Sequence, residues 1–108
     1  MAEVRAVLGQ AAPLAITETD LYAPAASTQA VVSSIVVANR STAATFRISV
    51  SVNNAVTATK DYLAYDVPLA ANETMTFTLG ITLGDTDKIR VYASTANLSF
   101  NAFGVELT

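Results

Sequence analysis

Two stretches of this chain alternate apolar and polar residues with a period of two, and that alternation constrains the fold more than any other feature. From Thr45 to Asn53, Phe46, Ile48, Val50 and Val52 interleave with Thr45, Arg47, Ser49 and Ser51. From Glu73 to Ile81, Met75, Phe77, Leu79 and Ile81 interleave with Thr74, Thr76, Thr78 and Gly80. Successive side chains of a strand point to opposite faces, so each stretch predicts a half-buried strand of an antiparallel sheet. No segment carries the 3.6-residue recurrence of an amphipathic helix.

The remaining apolar segments read the same way. Val31, Val32, Ile35, Val36 and Val37, between Ala30 and Ala38, predict a strand covered on both faces. From Tyr62 to Val67, alternation sends Leu63, Tyr65 and Val67 to one side and Tyr62, Ala64 and Asp66 to the other. From Lys88 to Ala93, Ile89, Val91 and Ala93 point inward, with Arg90 and Tyr92 outward. At the C-terminal end Leu98, Phe100 and Ala102 share one parity and Phe103, Val105 and Leu107 the other, which predicts a bulge or a change of sheet near Ala102-Phe103. A further strand is expected near Ile16 to Tyr22. Turn-forming residues separate these segments at Asn39–Thr42, Asn53-Asn54, Ala70–Asn72, Gly84–Asp87 and Ser94–Asn97, and Pro68 sits at a strand end. The expected fold is therefore all-β, an antiparallel β-sandwich (jelly-roll or Ig-like) of about seven or eight short strands, preferred over a closed barrel.

With 108 residues the chain makes one domain. Residues 16–108 are expected to form the sandwich. Residues 1–15 read as an extended N-terminal arm or a first strand, because Val4, Val7, Leu8, Leu14 and Ile16 are interrupted by Gly9-Gln10-Ala11-Ala12-Pro13.

Composition narrows the chemistry. The chain has no cysteine and no histidine, which removes disulfides, thiolate or imidazole metal sites, cysteine nucleophiles and histidine-based triads. Its six basic residues are dispersed and its net charge is −3, the opposite of a phosphate-binding groove. No apolar run approaches the roughly 18 residues of a membrane helix. The start, Met1-Ala2-Glu3-Val4-Arg5, lacks the basic and long apolar regions of a secretory signal, so Asn39, Asn72 and Asn97, each in an Asn-x-Ser/Thr triplet, read as turn residues rather than glycan acceptors. Asp85 and Asp87 flank Thr86 in a predicted turn without a third acidic neighbour, and Asp61 and Asp66 fall on opposite strand faces. Gly80 and Gly84 match no phosphate-binding fingerprint. No enzymatic activity, metal or cofactor is expected.

What remains is surface. Ser49, Ser51, Thr74, Thr76 and Thr78 predict smooth uncharged strand faces, which cost little to desolvate in contact with other subunits. Tyr62 and Tyr92 offer outward aromatic rings suited to a protein interface or to a sugar. The interface candidates are Val4, Val7, Leu8, Leu14, Ile16, Tyr62 and Tyr92.

Several strings carry a family likeness: Leu8-Gly9-Gln10 with Pro13 and Asp20-Leu21-Tyr22-Ala23-Pro24; Val31 to Arg40 followed by Thr45-Phe46-Arg47-Ile48; Tyr62 to Thr74; and Ile89 to Gly104. Over nearly its whole length the chain resembles small virion structural proteins of tailed bacteriophages. The resemblance implies a non-enzymatic, multi-copy subunit on the outer surface of the virion. Its first form is a capsid decoration (cement) protein, with the major capsid protein as partner and Val4, Val7, Leu8, Leu14 and Ile16 as anchors of a clamping arm. The alternatives are a tail, neck, baseplate or fibre-associated adaptor, and a glycan- or receptor-binding module using the tyrosines and loop asparagines. A homo-oligomer or other multi-copy assembly is expected in each case, with no nucleic acid or membrane partner.

Overall fold

In the computed structural model, which describes residues 2–108, the alternating stretches become eight strands. They are β1 (Glu3–Ala11), β2 (Thr19–Tyr22), β3 (Gln29–Asn39), β4 (Ala44–Ser51), β5 (Tyr62–Leu69), β6 (Thr74–Leu83), β7 (Lys88–Ala93) and β8 (Leu98–Leu107). A single 3-10 turn, Thr59–Asp61, precedes β5.

Two four-stranded antiparallel sheets result, ordered β1-β8-β3-β6 and β2-β7-β4-β5. The pairings β1 with β8, β2 with β7, β3 with β6 and β4 with β5 describe a chain doubled back on itself at the β4–β5 connection. Rolling that ribbon brings β8 against β3 and β7 against β4. This is the jelly-roll order, and it decides between the two sandwich forms the alternation allowed.

The core lies between the sheets. Val32, Ile35, Val37, Leu83, Leu98 and Phe100 face Phe46, Ile48, Ile89 and Val91, all essentially inaccessible to solvent. The Phe46 ring meets Phe77 and Phe100 edge-on, at 5.9 and 6.1 Å between centroids, and so ties the two layers together. Asn39 is buried but satisfied: its Nδ2 donates to the Thr42 and Leu69 carbonyls at 2.8 and 3.1 Å, and its Oδ1 accepts from the Ser41 amide at 3.1 Å. Asn72 sits in the β5–β6 turn at φ 60°.

Several expectations need correction, each for a physical reason. The β2 strand begins at Thr19 rather than Ile16; Ile16 is in the preceding loop at φ 56°, a left-handed conformation outside any ladder. Ser49 and Ser51 do point away from the inter-sheet core, yet they are buried, because the 52–58 loop folds back over that face. Ser51 Oγ donates to the Ala55 carbonyl at 2.7 Å, and the Arg90 guanidinium grips Ala55, Thr57 and Asn54 of the same loop. Val52 lies beyond the end of β4 and is exposed. In β5 the buried residue is Ala64, with Leu63 and Tyr65 exposed, because Tyr65 and Asp66 together oppose Arg47. That bulge, with Asp66 at φ 49°, reverses the parity so that Val67 and Leu69 turn inward. Leu79 is likewise partly exposed, where β6 slips its register with β3 between Thr78 and Ile81.

The irregularity expected near Ala102-Phe103 exists, but on the neighbouring strands. Strand β8 stays in one sheet throughout, while β1 shifts register between Val7 and Gly9 and β3 between Val32 and Ser34. Gly104 sits at this level so close to β3 that a methyl group there would run into the Val31 carbonyl oxygen. At the corner where the sheets meet, Gly9 lies equally close to the Leu21 carbonyl.

Candidate functional site

The outer face of the β2-β7-β4-β5 sheet gathers a small aromatic and cationic platform. Register places Arg47 opposite Tyr92 on β7 and opposite the Tyr65-Asp66 bulge on β5. Two residues against one deliver both a ring and a carboxylate to the same guanidinium. The Arg47 Cζ lies 4.3 Å from the Tyr65 ring centroid and 4.5 Å from that of Tyr92. Its Nε donates to Asp66 Oδ1 at 2.7 Å and its Nη2 reaches Oδ2 at 3.4 Å. The Asp66 hydrogen bond, outweighing a smaller effect of burial, raises the Arg47 pKa further above its ordinary value, so the cation is permanent.

Tyr62 extends the platform, its ring edge-on to Tyr65 at 4.8 Å. Tyr62 and Tyr65 join Thr57, Ala58 and Thr59 in lining an open depression of about 560 Å³. Tyr65 is 56% exposed although held on one side by Arg47, which makes it a rigid aromatic surface rather than a packed one. A second charged group lies further along the same sheet, where Asp20 accepts from Lys88 at 3.2 Å and from Arg90 at 3.3 Å. The carboxylates of Asp85 and Asp87 are occupied by backbone amides: Ser27 for the first, Gly84 and Asn53 for the second.

The residues picked out from the sequence fall into separate places. Tyr62 and Tyr92 belong to the platform, half-buried and outward. Val4, Val7 and Leu8 are on β1, in the other sheet. Val4 is opposite Glu106 and Val7 opposite Phe103, each about half exposed, while Leu8 lies at the register shift and packs against the core. Leu14 and Ile16 lie in the β1–β2 loop with 72% and 71% of their surface exposed, and the Ile16 amide donates to the Ala93 carbonyl at 2.8 Å. Sequence reasoning missed Arg47 and Tyr65. The signal for Arg47 was present, a lone cation on the polar face of a strand next to the Tyr62-x-x-Tyr65-Asp66 string. Tyr65 was hidden by the parity reversal at Asp66.

The fold and this surface together define a small jelly-roll domain with an exposed tyrosine-arginine platform. No protein-family model matches the chain, and no curated protein matches it. Solved structures do. A chain of the infectious bursal disease virus particle superposes with a TM-score of 0.58 at 12% identity, over 97% of this chain and 29% of that one. A chain of the Gx strain of the same virus gives 0.56 at 14%, over 97% and 30%. The VP2 subviral particle gives 0.53 at 14%, over 97% and 31%. At these identities the likeness is one of fold, and this chain spans less than a third of the length of those chains.

Proposed function

We propose that this chain is a non-enzymatic virion structural protein, and within that class a capsid decoration (cement) subunit on the outer surface of the particle that binds neighbouring capsid proteins. The observation that carries the reading is the superposition of 97% of the chain on chains of virus particles. The surface agrees with it. Arginine and tyrosine are the residues that most often anchor protein interfaces, and Arg47, Tyr65 and Tyr92 are arranged as a preordered patch. Exposed Val4, Val7, Leu14 and Ile16 add apolar area whose burial contributes roughly 25 cal/mol per Å² in each of many copies. In this reading the partner is the major capsid protein, as the resemblance to tailed-phage virion proteins implies.

The test is the copy number of this chain per purified particle, measured by quantitative mass spectrometry against the major capsid protein. A ratio of one, or a simple fraction of one, is expected for cement. A few copies in ring symmetry move the protein to the tail, neck, baseplate or fibre. Absence from particles removes the virion reading. A second reading, a glycan- or receptor-binding module, is favoured by one feature, the uncharged depression that pairs Tyr62 and Tyr65 with the threonines at 57 and 59. It requires saturable sugar binding that Tyr65→Ala weakens without unfolding the domain.

A further inference from the structure

A sheet edge is a row of unpaired backbone donors and acceptors, and folded proteins blunt such edges with charge, proline, bulges or brevity. Three of the four edges here are blunted. Strand β1 carries the Glu3–Arg5 ion pair and a register shift, and at Gly9 it lies against Leu21 of β2. Strand β2 has four residues, with Asp20 ion-paired. Strand β5 carries Pro68 and the Asp66 bulge. The fourth edge, β6, is different: ten residues, Thr74-Met75-Thr76-Phe77-Thr78-Leu79-Gly80-Ile81-Thr82-Leu83, with no charge and no proline. Its only irregularity comes after Thr78, so Thr74 to Thr78 form a regular ladder on β3, from Ala38 to Ser34. Nothing lies within 4 Å of where a side chain on Gly80 would begin, and its φ is not positive, so neither crowding nor conformation inside this chain calls for glycine there.

We propose that β6 pairs antiparallel with β6 of a second copy about a two-fold axis through Thr76, joining two four-stranded sheets into one of eight. The regular segment is its own complement. Rotation about Thr76 sets Thr76 against Thr76, Met75 against Phe77, and Thr74 against Thr78 of the other copy. The outer face becomes a ladder of threonine pairs, which are favourable neighbours across strands. The inner face brings the half-buried Met75 and Phe77, already packed on the core, against their counterparts as sulfur–aromatic contacts. A second copy fits this edge better than a charged partner does, because the strand offers no charge to meet one. The closed two-fold uses both edges and stops there, so it makes a dimer rather than a fibre. One short strand pair buries less than the roughly 1,000 Å² of a stable complex, so the dimer is expected only at high protein concentration, or where a particle holds copies side by side.

The pairing is tested on the purified chain alone, so its outcome is independent of the copy-number test on particles. Sedimentation of the wild-type chain is expected to show a mass rising with concentration from 11.3 kDa towards twice that value. Thr76→Lys, which sets two like charges opposite each other at the axis, holds it at the monomer. The chain has no cysteine, so single substitutions read the register directly. Under mild oxidation Thr76→Cys is expected to cross-link into a covalent dimer about tenfold or more faster than Thr82→Cys, which the two-fold places away from any partner on the strand. Circular dichroism verifies that each exposed-edge variant is folded. If a variant does not fold, hydrogen exchange of the wild-type β6 amides, compared at low and high concentration, gives the same reading. A wild-type chain that stays monomeric up to about 1 mM, equal cross-linking at the two positions, or β6 amides whose exchange ignores concentration would each overturn the proposal. So would an edge that becomes protected only by a different virion protein.

Discussion

The phenol of Tyr22 is one of the few groups whose ionisation the fold controls. It comes from β2 and donates to the Glu106 carboxylate of β8 at 2.6 Å, so one hydrogen bond joins the two sheets. Burial first, and then Glu106 through that bond and its charge, raise the pKa above the ordinary value of 10.0. The unfolded chain therefore ionises this group before the folded one does. Its contribution is complete below about pH 10 and is lost as the pH rises beyond that. Denaturant midpoints measured from about pH 9 to about pH 11 should fall more steeply for the wild type than for Tyr22→Phe. At neutral pH the same substitution is expected to cost about 1 kcal/mol. Asn39 presents the other single-residue dependence. Asn39→Ala removes the side-chain hydrogen bonds to the Thr42 and Leu69 carbonyls and from the Ser41 amide at a buried position, and a loss of about 2–3 kcal/mol is expected in chemical unfolding. At this scale the sequence was partly legible. Tyr62 and Tyr92 could be read as outward-facing from local alternation. Nothing local distinguished Asn39 from an exposed turn asparagine, because its burial comes from Leu69, thirty residues away.

At the scale of the strand, alternation was legible wherever a strand is regular and misleading wherever one bulges. Strand β7 follows its pattern throughout, with Ile89, Val91 and Ala93 buried and Arg90 and Tyr92 outward. In β5 the extra residue at the Tyr65-Asp66 bulge, one of two register shifts against β4, reverses the pattern ahead of Val67, and in doing so creates the Arg47 platform. Next to the register shift of β3 against β8, the two strands lie so close that only glycine fits at position 104. Gly104→Ala is expected to destabilise the domain by more than about 2 kcal/mol, since the obstacle is backbone that cannot rotate away. Gly80→Ala is the contrast, with open space and an ordinary φ, and should be neutral or stabilising by up to about 1 kcal/mol. Thermal melts of the two variants side by side test that difference.

For the molecule as a whole, the doubled-back path makes the two ends of the chain partners. Strand β1 pairs with β8 along its length, Glu3 opposite Leu107 and Ala11 opposite Phe100, and the amides of Ala2 and Thr108 each donate to the other's carbonyl. Removing residues 2–11 would strip one side of β8 and the Gly9 corner where the sheets meet. Loss of the cooperative thermal transition is the expected outcome, followed by circular dichroism. A truncated chain that melts as the intact one does would mean that this segment contributes little to the core.

The sequence by itself determined the all-β class of fold, the inward set of β7, the shared inward parity of Leu98, Phe100 and Ala102 in β8, and the exclusion of cysteine and histidine chemistry. Those properties depend on residue type and on a period of two, which any short window reveals. Only the tertiary structure decided the jelly-roll order, the burial of Ser49 and Ser51 under their own loop, the meeting of Arg47 with Tyr65 and Tyr92, and the contrast between three blunted edges and a bare one. Each of these depends on which strand lies beside which, and on register shifts of a single residue. Such shifts are set by contacts between segments far apart in the chain, where local alternation carries no signal.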